Sequence, residues 1–151
     1  MMPEMTAAQK IKLARQFMEA IPHSRHLKMS LDLIDEGVAE ISMPYDENLV
    51  GDPQTGVIHG GAVSSLMDTC CGAAVVSHPL VPSATATLDF RIDYMRPATA
   101  GQDLFARAEC YQVTRSVAFV RATTYDNDRD RPVATATGAF TVDRGREGAK
   151  P

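Results

Sequence analysis

Long apolar runs are missing from this sequence. The opening MMPEMTAAQKIKLARQ has no uninterrupted apolar stretch, and no later run is long and apolar enough to cross a bilayer, so a soluble, unprocessed chain is expected. A basic excess is missing as well. The 15 Lys and Arg face 19 Asp and Glu, giving a formal net charge of -4, and both signs are scattered, which removes nucleic acid as an expected partner. Cysteine is scarce: the three residues cannot all pair within one chain, and Cys70 and Cys71 are neighbours in a helical pattern, so a reducing cytoplasm is expected. No CxxC or HxxxH spacing occurs, and His23 and His26 adjoin no carboxylate or thiol cluster, so no metal is expected. There is no GxSxG turn, phosphate-binding loop, dinucleotide fingerprint, internal repeat or low-complexity segment.

What is present suits one domain: 151 residues with 44% hydrophobic content. The expected layout is an N-terminal helix and linker over 1–27, a core over 28–142 and a flexible polar tail over 143–151. Thr6 and Gln9 form a capping-box pattern, Leu13, Ala14, Phe17, Met18 and Ile21 recur at helical spacing, and Pro22 is expected to stop the helix. Met29, Leu31 and Leu33, then Ala39, Ile41 and Met43, alternate with polar residues around Gly37 and predict a hairpin. Residues 44–56 read as a long loop, a kind that is frequently functional. Thr85 to Tyr94 is the clearest strand, with Leu88, Phe90, Ile92 and Tyr94 on one face and Thr87, Asp89, Arg91 and Asp93 on the other. Strands over 104–114, 117–126 and 132–142 follow as an antiparallel meander.

Between loop and strand lies GVIHGGAVSSLMDTCCGAAVV, Gly56 to Val76. It predicts a helix starting near Gly60 or Gly61 and ending before Pro79, with Val63, Leu66, Met67, Cys70 and Ala74 on one stripe and short residues over much of the rest, hence buried on more than one side. The sum is an α+β fold in which an antiparallel sheet holds this helix against its concave face. At 100° per residue Gly61, Ser64, Ser65, Asp68 and Gly72 share the opposite face. A surface face would carry Lys, Glu or Arg. One acid among short side chains signals close approach by a ligand or another backbone. Glycines at a helix start also expose amides to an acyl or phosphate oxygen, so Gly60 and Gly61 could form an oxyanion hole; taken by themselves, a tight loop-to-helix turn is the favoured explanation. His59, with no acidic neighbour, suits a loop-fixing hydrogen bond better than a base. Cys70 and Cys71 suit the core.

GVIHGGAVSSLMD, followed by TLDFRIDYMRPA, resembles the hotdog-fold thioesterase superfamily of the phenylacetic-acid-degradation (PaaI) type over about Leu31 to Val142. The resemblance implies an antiparallel sheet wrapped around a long central helix, and subunits in dimers or pairs of dimers with active sites at the subunit interface. It implies hydrolysis of an acyl-CoA thioester, with no cofactor beyond the coenzyme A of the substrate. The Gly60 amide, with Gly61 beside it, would bind the thioester carbonyl, and Asp68 from the neighbouring subunit would act as general base or nucleophile. Thr87 matches a position where relatives place water or the carboxylate, and a strand-favouring threonine is the other reading. Asn48 corresponds to an asparagine before the HGG turn, though with a longer loop between. His59, Ser64 and Ser65 would line the site, and Arg91, Arg96 and Arg115 are candidates for the phosphates of coenzyme A. Two other functions stay open: a non-catalytic acyl-CoA binder, and a hotdog hydratase or dehydratase, which would need a histidine and acid at a spacing this segment fits poorly.

Overall fold

The computed structural model describes residues 6–82 and 84–144. The expected tail therefore lies outside the described residues beyond Arg144.

Chain order begins with α1 (Ala7–Ala20) and the short α2 (Pro22–His26). The capping box forms: the Gln9 amide donates to Thr6 Oγ1 at 3.2 Å and the Thr6 amide to Gln9 Oε1 at 2.8 Å. Pro22 ends α1, as expected, and also opens α2 from its first helical position, where its missing N–H leaves no bond unmade. The stretch holding His23 and His26 is thus a helical turn. The apolar pattern of α1 is only half used: Ala14 and Met18 pack inward, while Leu13 and Phe17 stay 54% and 70% exposed.

Strands β1 (Ser30–Asp35) and β2 (Val38–Met43) form the predicted hairpin, with Gly37 at φ 75° in its turn. The segment read as a loop holds more order. A 3-10 turn over Glu47–Leu49 leads into a small hairpin of β3 (Val50–Asp52) and β4 (Val57–Ile58). Then come α3 (Gly60–Ser77), β5 (Thr87–Tyr94), β6 (Leu104–Val113), β7 (Val117–Tyr125) and β8 (Ala134–Thr141).

The main sheet is antiparallel in the order β1-β2-β6-β7-β8-β5. The meander is β6 to β8, and β5 adds to its far side as an edge strand. A row of alanines crosses the sheet at matched register: Ala39 beside Ala108, Ala108 beside Ala122, Ala122 beside Ala136. All four are buried. Methyl side chains in one row let a helix approach closely, and α3 lies in that trough against β2, β6 and β7. Leu66, Met67, Cys70, Cys71, Ala74 and Val75 are fully buried, and each large side chain among them contributes about 1.5–3 kcal/mol. Rotating α3 would expose them, so the direction of Asp68 is set by the packing behind it. This is the wrapped-helix architecture that the resemblance implied.

The two sheet edges differ. At β1, α1 lies alongside and Arg15 Nε donates to the Leu31 carbonyl at 2.9 Å. At β5 Leu88, Tyr94 and the following Met95 are 58%, 54% and 60% exposed.

Candidate active site

Two short clusters meet where β5 runs past α3. The first is the helix start. His59 caps α3, its Nδ1 accepting from the Gly61 amide at 2.8 Å. The hydroxyl of Tyr94, on β5, donates to the Gly60 carbonyl at 2.9 Å. Ser64 and Ser65 both donate to the Gly61 carbonyl at 2.9 Å. The Gly60 amide, at the first helical position, has no intrahelical acceptor. Of the two glycine amides, Gly61 is therefore held by His59 and Gly60 is the one presented. A Cβ on Gly61 would lie 2.9 Å from His59 Nδ1, so the cap itself requires glycine there. Because Nδ1 accepts, the neutral ring carries its proton on Nε2, which leaves His59 a donor and not a base.

The second cluster is Asp68 with Thr87. The Thr87 hydroxyl donates to Asp68 Oδ1 at 2.8 Å, and Oδ2 accepts no hydrogen bond from the described residues. Strict alternation puts Thr87 on the face of Asp89, Arg91 and Asp93, away from the helix. The structure corrects this. Thr87 pairs with Phe140 but Asp89 with Ala139, so Leu88 is an extra residue in a β-bulge. The bulge turns Thr87 onto the face of Phe90, Ile92 and Tyr94, which is the face against α3. Leu88 turns outward instead of sharing the face of Phe90.

Asn48, eleven positions before His59, comes close to the helix start. The hairpin β3–β4 folds the intervening loop back on itself, and the His59 amide donates to the Leu49 carbonyl at 2.8 Å. The Asn48 side chain donates to Asp46 Oδ1 at 3.0 Å. Arg91 is exposed on β5 beside Asp93, at 3.3 Å. Arg115 stands exposed between β6 and β7. Arg96 is engaged elsewhere: its guanidinium forks onto Asp126 with two 2.7 Å bonds, and Asp126 is fully buried. A phosphate would have to compete with that pair. The Arg96 fork holds the Asp126 carboxyl well below the usual carboxylate range. Neither this pair nor the Tyr94 bond was readable from sequence, although Tyr94 stands at the end of the clearest strand.

The thiols take no part. Burial pushes Cys70 up to about 12 and raises Cys71 and Cys110, while Cys70 Sγ donates to the Ala39 and Ala106 carbonyls. Among the described residues no group of three or more His, Cys, Asp or Glu is placed to hold a metal, and no helix is long and apolar enough to cross a membrane.

The sheet-wrapped helix, with a glycine amide at its start and a carboxylate two turns on, is the arrangement that the resemblance to PaaI-type hotdog proteins implied. The sequence pattern of the Thioesterase superfamily matches residues 55–133, the span that holds both clusters, and the chain belongs to that family. Among curated proteins it is similar to the medium/long-chain acyl-CoA thioesterase YigI of Escherichia coli, 26% identical over 152 residues covering 91% of this chain and 97% of that one. Among solved structures, a Pseudomonas aeruginosa protein is 40% identical with a TM-score of 0.76, covering 87% of this chain and 97% of that one. The PaaI protein of the Escherichia coli phenylacetic acid degradation operon shares the fold at 23% identity, with a TM-score of 0.79 over 93% of this chain and 98% of that one. The chain is a thioester hydrolase.

Proposed function

We propose that the chain hydrolyses acyl-CoA thioesters at a site shared by two copies, with Gly60 from one and Asp68 from the other. One observation carries this reading. Gly60 and Asp68 are eight residues apart on one helix, which separates them by about 12 Å along its axis. An oxyanion donor and a base acting on one carbonyl must each come within about 3 Å of it or of its attacking water, so a single chain cannot bring both to one thioester. A second copy can. The open β5 edge is where it would add, because the opposite edge is covered by α1 and Arg15, and an uncovered edge with exposed apolar side chains invites pairing.

In this mechanism the Gly60 amide, at the positive end of α3, stabilises the oxyanion as the carbonyl is attacked. Thr87 holds Asp68 through Oδ1 and leaves Oδ2 towards the substrate. Two routes follow. As general base, Oδ2 takes a proton from water while the water oxygen bonds to the carbonyl carbon. As nucleophile, Oδ2 bonds to that carbon and water opens the resulting anhydride. In both the C–S bond breaks, the acid leaves, and the sulfur of coenzyme A ends protonated. His59 fixes the turn, Asn48 and the two serines shape the helix start, and Arg91, in an exposed pair that a phosphate can displace, is a binding residue for coenzyme A. No cofactor is involved beyond the coenzyme A of the substrate.

A hydratase or dehydratase needs an imidazole that moves a proton at the substrate, and Nδ1 of His59 is already committed to Gly61. A simple binder has no use for a carboxylate oriented by Thr87. Free-thiol release from aliphatic acyl-CoAs of short, medium and long chain and from aryl-CoAs tests the reading. Turnover of at least one class is expected, and tight binding with no thiol released from any of them would return the protein to a binding role.

A further inference from the structure

Gly60 and Gly61 give the start of α3 a backbone without Cβ restraint, and glycine loses more freedom on ordering than any other residue. An amide that stabilises an oxyanion must nevertheless point one way before the substrate arrives. The peptide unit joining these two glycines is held at both ends. Its N–H donates to His59 Nδ1 at 2.8 Å and its carbonyl accepts from the Tyr94 hydroxyl at 2.9 Å. The ring of Tyr94 also lies beside Gly60, where a Cβ would meet Cε1 and Cζ at 3.4 Å. His59 belongs to the turn itself, and among the described residues Tyr94 supplies the hydrogen bond that ties the turn to the six-stranded sheet.

We propose that Tyr94 is a positioning residue for this reaction: its hydroxyl holds the Gly60–Gly61 peptide, the Ala62 amide holds the carbonyl of the preceding His59–Gly60 peptide at 2.9 Å, and with both units fixed Gly60 cannot rotate its own N–H away from the substrate. The assignment rests on the oxyanion role proposed for Gly60. Its structural support is local. Two residues after Tyr94, Arg96 anchors the end of β5 to the buried Asp126 and to the Arg131 carbonyl at 2.7 Å, which gives the phenol a rigid base. Thr87 begins the same strand and Tyr94 ends it, so β5 holds the carboxylate at one end and the start of α3 at the other.

Tyr94→Phe removes the hydroxyl and keeps the ring. Because the oxyanion forms only in the transition state, kcat is expected to fall about tenfold with KM within about twofold, a split that general loosening would not produce. Thermal unfolding and oligomeric state should match wild type, and hydrogen exchange of a peptide covering residues 58–66 should speed up. Wild-type kcat together with unchanged exchange in Tyr94→Phe overturns the proposal while leaving the thioesterase reading intact. If wild type releases no thiol from any acyl-CoA, the thioesterase reading fails, and the exchange measurement still decides whether Tyr94 holds the turn.

Discussion

Asp68→Asn is expected to lower kcat/KM for thiol release by at least about a hundredfold, the usual effect of removing a general base or nucleophile. The substitution is a clean one. Asparagine matches the acid in size, its side-chain oxygen can still accept from Thr87, and the half-buried polar face of α3 tolerates a neutral amide. The helix itself is held from behind by fully buried Leu66, Met67, Cys70 and Cys71, none of which the change disturbs. Unfolding temperature should therefore stay close to wild type. Steady-state kinetics alongside a melting curve check both halves. A loss of less than about fivefold with the fold intact would take Asp68 out of the chemistry.

Arg96→Ala is expected to give the largest change in stability, about 3 kcal/mol, read as a lower midpoint in urea or guanidinium unfolding. It leaves Asp126 buried without its cation. The Thr99 amide and hydroxyl and the Asp128 amide still donate to that carboxylate, which places the effect near the low end for a broken buried pair. Lysine should recover only part of the loss, since a point charge cannot make the two parallel bonds. The pair also sets a pH dependence. Asp126 has a folded pKa below its unfolded value, so its contribution is complete above the ordinary carboxylate range near pH 4 and is lost as pH falls through the folded value. Unfolding midpoints measured from neutral to acid pH should fall in wild type and converge with those of Arg96→Ala at the acid end. Parallel curves would mean that the pair contributes nothing through this charge.

Local pattern carried most of what could be read in advance. The capping box at Thr6 and Gln9, the turn at Gly37, the alternation of Ala39, Ile41 and Met43 in β2 and the buried character of α3 each depend on neighbouring residues, and each formed where the pattern placed it, whereas the expected alternation of β1 is shifted by a bulge between Leu31 and Leu33 that packs Ile34 inward. What escaped depends on distant partners. The bulge at Leu88 exists only against the register of β8, and it alone decides which way Thr87 faces. The closeness of Asn48 to His59 depends on a three-residue strand pairing with a two-residue one, too short to show a period. Arg96 and Asp126 are thirty positions apart and carry no spacing signal, so a plausible surface cation turned out to be half of a buried fork. Leu13 and Phe17 fit the helical stripe of α1 and yet face outward, while Ala14 and Met18 of the same stripe meet the core.

In the proposed reaction one catalytic unit takes its amide and its carboxylate from different chains, and mixing of subunits separates this arrangement from a single-chain site. Asp68→Asn keeps the amide and lacks the acid. Gly60→Pro keeps the acid and lacks the amide N–H, at a first helical position that proline tolerates. Each variant alone should be inactive. In a mixed dimer one of the two shared sites regains both groups, so equal amounts of the two, unfolded and refolded together, should recover about a quarter of wild-type activity. Refolded mixtures no more active than the separate variants, with mixed dimers present, would place both groups in a single chain and contradict the shared site.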